Sequence, residues 1–330
     1  MKEKIAFLAY CDYANVLTEY SKVINDYSEK YESKVICLMP HPFNYQLKHD
    51  YDLTSANYIE LSKKWVNESK YIIFSEEMGK GNYDTLNNII RKLGINIEGK
   101  KISAWHPGSN YRKNYVQFNN NPLNNKLHRI IYAIDLYRLS NKNKKDITLL
   151  PFMSFNHDPN QYMDNMMNKI NSGNRIFMHC PSNTERKGSN IIKTTIDSLN
   201  RNDIKYEMYT GKPHNFIMEQ KNRSLFYIDQ FNIESSFGVA AIESLICGNV
   251  TMCGINNAKD GIDRYGSKTQ CPIINLGITE ITLKNTIEEV MGYDKNKLIG
   301  ICESNLNYLL ECYNGKSVIK YIEEKILNDE

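Results

Sequence analysis

The sequence predicts an α/β protein of two Rossmann-like, doubly wound domains facing a central cleft, and three observations predict it. Short apolar runs alternate with amphipathic ones from end to end, the pattern of parallel strands covered by helices. The rhythm pauses at Pro151–Asn160, where Pro, Asn and Asp cluster, and then restarts. The 330 residues are enough for two cores.

In the first half, Ile5–Ala9 is an unbroken apolar run and reads as a buried strand, followed by a helical pattern to about Glu29. Lys34–Leu38 and Tyr71–Phe74 are expected strands, and Leu86–Leu93 a helix. Lys101–Trp105 and Arg129–Ala133 read as strands, Asn119–Asn125 as a polar surface loop, and Thr148–Pro151 closes this half. In the second half, Ile176–His179, Tyr206–Tyr209 and Leu225–Ile228 are expected strands, separated by helices at Asn190–Leu199 and His214–Gln220. A helix of small and apolar residues then runs to Gly248, followed by strands at Val250–Cys253 and Pro272–Leu276. Val318, Ile319, Ile322, Ile326 and Leu327 share one stripe of a final helix.

Composition narrows the function classes. Hydrophobic and charged fractions are those of an ordinary soluble protein. A net charge of +3 is too small to argue for nucleic acid. The stretch MKEKIAFLAY is interrupted by Cys11 and Asp12 too early for a signal peptide, and no run has the apolar length of a membrane-spanning helix. The eight cysteines are scattered with no CxxC pair, which fits packing thiols in a reducing cytoplasm. Nothing has the spacing of a metal site.

Two stretches carry chemistry. In YIDQFNIESSFGVAAIESLICGNVTMC, Tyr227–Cys253, a strand ends in Asp229-Gln230, a loop carries Ser235, Ser236, Phe237 and Gly238, and a helix follows with one acid, Glu243, among apolar neighbours. A helix N-terminus offers backbone N–H groups to phosphate, and a carboxylate accepts from ribose hydroxyls. A buried acid paired with a neighbour is the competing reading of Glu243. In HCPSNTERKGSN, His179–Asn190, a strand ends, a polar loop turns, and Arg186 and Lys187 stand where the next helix opens after Gly188. Two cations beside a helix N-terminus stabilise the charge that develops on a departing diphosphate.

Over Ile176–Cys253 these features resemble the donor-binding core of retaining GT-B glycosyltransferases of the group 1 (GT4) type. That family pairs a basic dipeptide before Gly with two acids spaced around the loop. Here the second acid matches Glu243, while the first position holds Ser235. The resemblance implies a donor domain over 152–314, an acceptor-side domain over 1–151, and a last helix, 315–330, that crosses back onto the first domain. Periodicity alone allows that helix to pack on the second domain equally well.

The resemblance also implies roles. Arg186 and Lys187 would hold the diphosphate, with Asn183 and Gly188 beside them among the donor-binding residues. Gln230, Ser235, Ser236, Phe237, Gly238 and Val239 would form the phosphate and sugar cradle, and Glu243 would hold the ribose. Tyr209 and Gly211 would lie near the nucleobase. His106, at the carboxyl end of a strand, would sit near the transferred sugar. Asn15, in a turn lacking the family's glycines, and Ser109 would face the acceptor; Arg112 would hold an anionic acceptor or a loop carboxylate, which the sequence leaves open. The implied reaction moves a sugar, UDP-linked by family frequency, to a glycan, lipid-linked or protein acceptor with retention. It needs no metal or other cofactor and no nucleic-acid partner, and a lipid acceptor would add peripheral membrane contact. A GT-B sugar-nucleotide epimerase and a non-catalytic sugar-nucleotide-binding protein are the rivals. A nicotinamide enzyme ranks below both, because no GxGxxG follows the first strand.

Overall fold

The computed structural model describes residues 1–12, 15–40, 48–75, 84–231 and 236–328. The chain divides into two compact units, Met1–Ser154 with Gly315–Glu330, and Phe155–Asn314.

In the first unit the strands are β1 (Glu3–Ala9), β2 (Tyr31–Cys37), β3 (Tyr51–Asp52), β4 (Tyr71–Ser75), β5 (Lys101–His106), β6 (Arg129–Ala133) and β7 (Asp146–Leu149). Among the described residues they form one parallel sheet in the order β3-β2-β1-β4-β5-β6-β7. The helices are α1 (Val16–Tyr27), α2 (Ala56–Glu68), α3 (Asp84–Leu93) and α4 (Ser109–Asn119). Residues 5–9 of β1 are all buried, because helices cover both faces of a parallel sheet. Ala6 and Leu8 join a core with Ile72, Phe74, Ala104, Ile130 and Tyr132 on one face. On the other face Phe7, Ile73, Trp105 and Ile131 meet Leu17 and Tyr20 of α1 and Ile322 and Ile326 near the C-terminus.

The last helix, Gly315–Tyr321, continues into a π-helical turn at Ile322–Ile326 and belongs to this first unit. Tyrosine hydroxyls tie it down. Tyr321 donates to the Thr148 carbonyl at 2.7 Å, and Tyr71 donates to the Leu327 carbonyl at 2.9 Å. Such bonds let a large apolar ring be buried without leaving its hydroxyl unsatisfied.

The second unit holds β8 (Ile176–His179), β9 (Lys205–Met208), β10 (Phe226–Ile228), β11 (Val250–Cys253) and β12 (Ile274–Asn275). They form a parallel sheet in the order β12-β11-β10-β8-β9. Its helices are α5 (Pro159–Ser172), α6 (Ser189–Ser198), α7 (His214–Arg223), α8 (Val239–Ile246), α9 (Lys259–Tyr265), α10 (Glu280–Met291) and α11 (Lys295–Cys312). Phe177 and Phe226 stack at 4.5 Å at the centre of a core shared with Ile192, Ile228, Val250, Met252 and Ile287. The chain runs from β8 outward to β9 and then returns to the other side of β8 as β10. That reversal makes the carboxyl ends of β8 and β10 the topological switch point, where ligands bind in open sheets.

Both units are doubly wound α/β, as the alternation predicted. Helix α5 has no counterpart among the expected elements. Tyr162, Met163, Met166, Met167 and Ile170 form one stripe, Asp158 caps the helix and Pro159 occupies its first turn, but its start lies within the Pro151–Asn160 stretch read as a domain boundary. Among the described residues no helix is long and apolar enough to cross a membrane.

Candidate functional site

The loop between β8 and α6 is shaped by Asn183 and Gly188. Asn183 Oδ1 accepts from the Arg186 N–H at 2.8 Å, and its carbonyl accepts from the Lys187 N–H at 3.1 Å. Gly188 has φ of 70°, and a Cβ there would lie 2.1 Å from the Phe231 carbonyl oxygen. Only glycine combines that left-handed backbone with so close an approach. The Phe231 N–H donates in turn to the Lys187 carbonyl at 3.1 Å, so this loop is pinned to the chain leaving β10. The Arg186 side chain is exposed, while Lys187 turns inward.

Lys187 Nζ donates to Asp229 Oδ1 at 2.7 Å, with the lysine side chain 18% exposed and the aspartate wholly buried. Asp229 Oδ2 accepts from the Gly238 N–H at 3.2 Å, at the N-terminus of α8, and lies 4.0 Å from Cys253 Sγ. One carboxylate therefore joins a cation to a helix N-terminus, both of which favour negative charge. Gln230 donates from its side chain to the Ser236 carbonyl, closing the same loop. The buried Ser236 hydroxyl has no hydrogen-bond partner among the described residues. Phe237 is buried, and Val239 is the first residue of α8. Ser235 lies outside the described residues.

His179 supports this corner from below. Its Nδ1 lies 2.8 Å from the Ile228 carbonyl, which can only accept, so Nδ1 carries the proton and Nε2 accepts from the Ser189 hydroxyl at 2.8 Å. Burial pulls its pKa down to about 4, keeping the ring neutral.

Glu243 sits on α8 with both oxygens engaged. His214 Nε2 donates to Oε1 at 2.7 Å and Lys221 Nζ donates to Oε2 at 2.6 Å. Lys221 is fully buried, also donates to the Ala240 carbonyl at 2.8 Å, and lies 4.8 Å from the centre of the Tyr227 ring. Burial pushes the Glu243 pKa up, but the Lys221 charge and the His214 hydrogen bond outweigh it and hold the acid at about 2. The sequence contains no spacing that announces Lys221 or His214 as partners. Tyr209 stands just beyond β9 and donates to Glu207 at 2.8 Å, with Gly211 open to solvent after it. Burial raises the nearby Cys180 thiol to about 12, so it stays protonated and is no nucleophile.

The residues expected on the acceptor side lie in the first unit. His106, expected on the reacting face, is instead wholly buried, with ring centres 4.4 Å from Tyr111, 4.9 Å from Phe118 and 5.2 Å from Tyr132. Strand alternation puts it on the same face as Ala104, and α4 covers that face. Arg112 pairs with Asp135, the second of the two partners left open by the sequence. Ser109 opens α4. Asn15 is buried with φ of 60° and precedes α1. Beside it Asp12, not the backbone of a glycine loop, occupies the helix N-terminus: its oxygens accept from Leu17 N–H at 2.9 Å, Thr18 N–H at 2.8 Å and the Thr18 hydroxyl at 2.6 Å. Burial raises the Asp12 pKa against those bonds.

Among the described residues, no group of three His, Cys, Asp or Glu is placed to hold a metal. A hollow of about 830 Å³ in the second unit opens at the opposite end of its sheet, beside Arg175, Lys205 and Arg223, away from Lys187 and Asp229.

No protein-family model and no curated protein sequence matches the chain. Solved structures do. An alpha-glucosyltransferase in complex with UDP-glucose and DNA containing an abasic site superposes with a TM-score of 0.63 at 11% identity, covering 99% of each chain. The Anabaena protein Alr3699/HepE in complex with UDP and glucose gives 0.62 at 10% identity, over 98% of this chain and 99% of that one. A glycosyltransferase from Rickettsia africae gives 0.61 at 12% identity over the whole of both chains. Likeness at such identities is likeness of fold, and the two doubly wound units of this chain have the GT-B fold.

Proposed function

We propose that the protein is a glycosyltransferase that binds a nucleoside diphosphate sugar, a UDP-sugar, in its second unit and transfers the sugar to a glycan, lipid-linked or protein acceptor with retention of configuration. One observation carries this reading: Lys187 and the N-terminus of α8 converge on a single carboxylate at the point where the sheet order reverses. Groups that share one anion are already placed to share another. The bond to Asp229 uses one of three ammonium donors of Lys187, and the exposed Arg186 beside it adds a planar fork for phosphate oxygens. As the glycosyl bond breaks, these cations and the helix amides stabilise the leaving diphosphate, a task that requires no metal ion. Glu243 keeps lone pairs beyond those used by Lys221 and His214, through which it accepts from the ribose hydroxyls. The solved structures of like fold that hold UDP or UDP-glucose support the choice of nucleotide. The site works in the cytoplasm, and a lipid-linked acceptor would bring the protein to the membrane face.

Titration calorimetry with UDP, UDP-glucose and GDP tests the reading. UDP should bind, and Arg186→Ala or Lys187→Ala should weaken it by roughly 10- to 100-fold, the loss of one charged hydrogen bond. If the folded wild-type protein takes up no nucleotide, the proposal is wrong. A second reading, a sugar-nucleotide-binding protein without turnover, is favoured by the internal partners that both Lys187 and Glu243 already have. It predicts UDP binding with no sugar transfer to any acceptor in a glycan, lipid and peptide panel.

A further inference from the structure

We infer that Asp229 is a positioning residue of the diphosphate site: it orients the Lys187 ammonium and the N-terminus of α8, and keeps them electrically neutral until a diphosphate binds. The inference rests on the nucleotide-sugar reading above.

The geometry leaves Asp229 little other purpose. A carboxylate with no solvent exposure costs several kcal/mol unless its oxygens are satisfied. Here Oδ1 takes the Lys187 ammonium, while Oδ2 takes the Gly238 N–H and faces the Cys253 thiol. Its own N–H is fixed to the Met252 carbonyl at 2.9 Å, so the acid is anchored to the edge of β11. Lys187 comes from the loop after β8, Asp229 from the end of β10, and Gly238 from the start of α8. The acid is the side chain through which those three segments are tied at one point. Apolar side chains of similar size would fill the space at lower cost in stability. An ion pair retained there instead holds a positive group at one angle while cancelling its charge.

Charge and orientation therefore pull in opposite directions when the acid is removed. Asp229→Asn leaves an uncompensated ammonium beside the helix N-terminus, which should bind anions more tightly. It also removes the tether, so the two loops should loosen. A purely structural residue would lose affinity as the site loosened.

The test is UDP binding by calorimetry on the full chain, paired with amide hydrogen exchange over 183–188 and 236–241. Asp229→Asn should bind UDP roughly tenfold more tightly than wild type, while exchange in the ligand-free protein becomes faster in both segments. UDP affinity that is unchanged or weaker, or exchange that is unchanged, overturns the inference. Should Asp229→Asn fail to fold, Lys187→Met is compared with Lys187→Met/Asp229→Asn, since a neutral pair in a buried site is tolerated better than a lone charge. The double variant should then bind UDP roughly tenfold more tightly than Lys187→Met alone; equal affinities overturn the inference. A wild-type protein that binds neither UDP nor GDP removes the proposed function itself, and this role with it, before any variant is made.

Discussion

Lys221→Met is the most informative perturbation of the second unit. Methionine keeps an unbranched apolar side chain of nearly the same length but deletes the ammonium that donates to Glu243 and to the Ala240 carbonyl and lies over the Tyr227 ring. Lys221 and His214 together outweigh burial and hold the Glu243 pKa at about 2 against an ordinary 4.5. A difference of that size is worth about 3 kcal/mol. Removing one member of a buried ion pair costs about 3–5 kcal/mol, because the other charge is left uncompensated. Lys221 is the largest favourable influence on the Glu243 carboxylate, so Lys221→Met should cost the second unit about 3–4 kcal/mol. For a unit of this length that lowers the melting temperature by about 10 °C. Urea unfolding followed by far-UV circular dichroism gives the free energy, with an unchanged slope showing that the native state stays compact. Lys221→Met/Glu243→Gln should recover most of the loss, since no buried charge then lacks a partner. A single variant less than about 1 kcal/mol below wild type would refute the reasoning, as would a double variant less stable than the single.

Two further outcomes are expected. Gly188→Ala must place a methyl 2.1 Å from the Phe231 carbonyl at a φ of 70°, so the loop has to shift; a loss of at least about 2 kcal/mol should appear in thermal unfolding, together with weaker UDP binding in calorimetry. Acid should destabilise the protein in two stages. His179, and His128 in the first unit, are held by burial at about 4, below their ordinary 6.5, so the unfolded chain binds more protons between those values and stability falls as pH drops through that window. Glu243 adds a second loss between pH 4.5 and about 2, where its native carboxylate resists protonation. The urea midpoint measured from pH 7 to pH 3 should start to fall near pH 6.5 and steepen below 4.5; a midpoint flat between pH 7 and pH 5 would contradict the assignment of a neutral buried His179.

Much of the fold was legible because buried parallel strands need uninterrupted apolar residues. Ile5–Ala9 satisfies that need and appears within β1, and Val250–Cys253, interrupted only by Thr251, appears as β11. Helix α4 was not legible, since SNYRKNYVQFN shows only a weak apolar face. Helices α2 and α5 carry apolar stripes absent from the expected elements, α5 because it starts inside the Pro- and Asn-rich stretch that reads as a domain boundary. The loops that carry Lys187, Asp229 and Gly238 were legible as strand-to-helix turns, because a strand that ends in a polar loop before a small-residue helix constrains the backbone locally. His106 was not: strand alternation names the face it points to, but only the placement of α4 makes that face a core packed with Tyr111 and Phe118.

The order of apolar and polar runs, together with a glycine or a helix-opening residue at each turn, was enough to specify two doubly wound units and the loops that end their strands. Those are short-range preferences, and each is written in consecutive residues. Which charge meets which was decided by the folded chain alone. Lys187 finds Asp229 from 42 positions away, and Glu243 finds Lys221 from 22. Partners so far apart meet only after intervening strands have been laid side by side in the sheet.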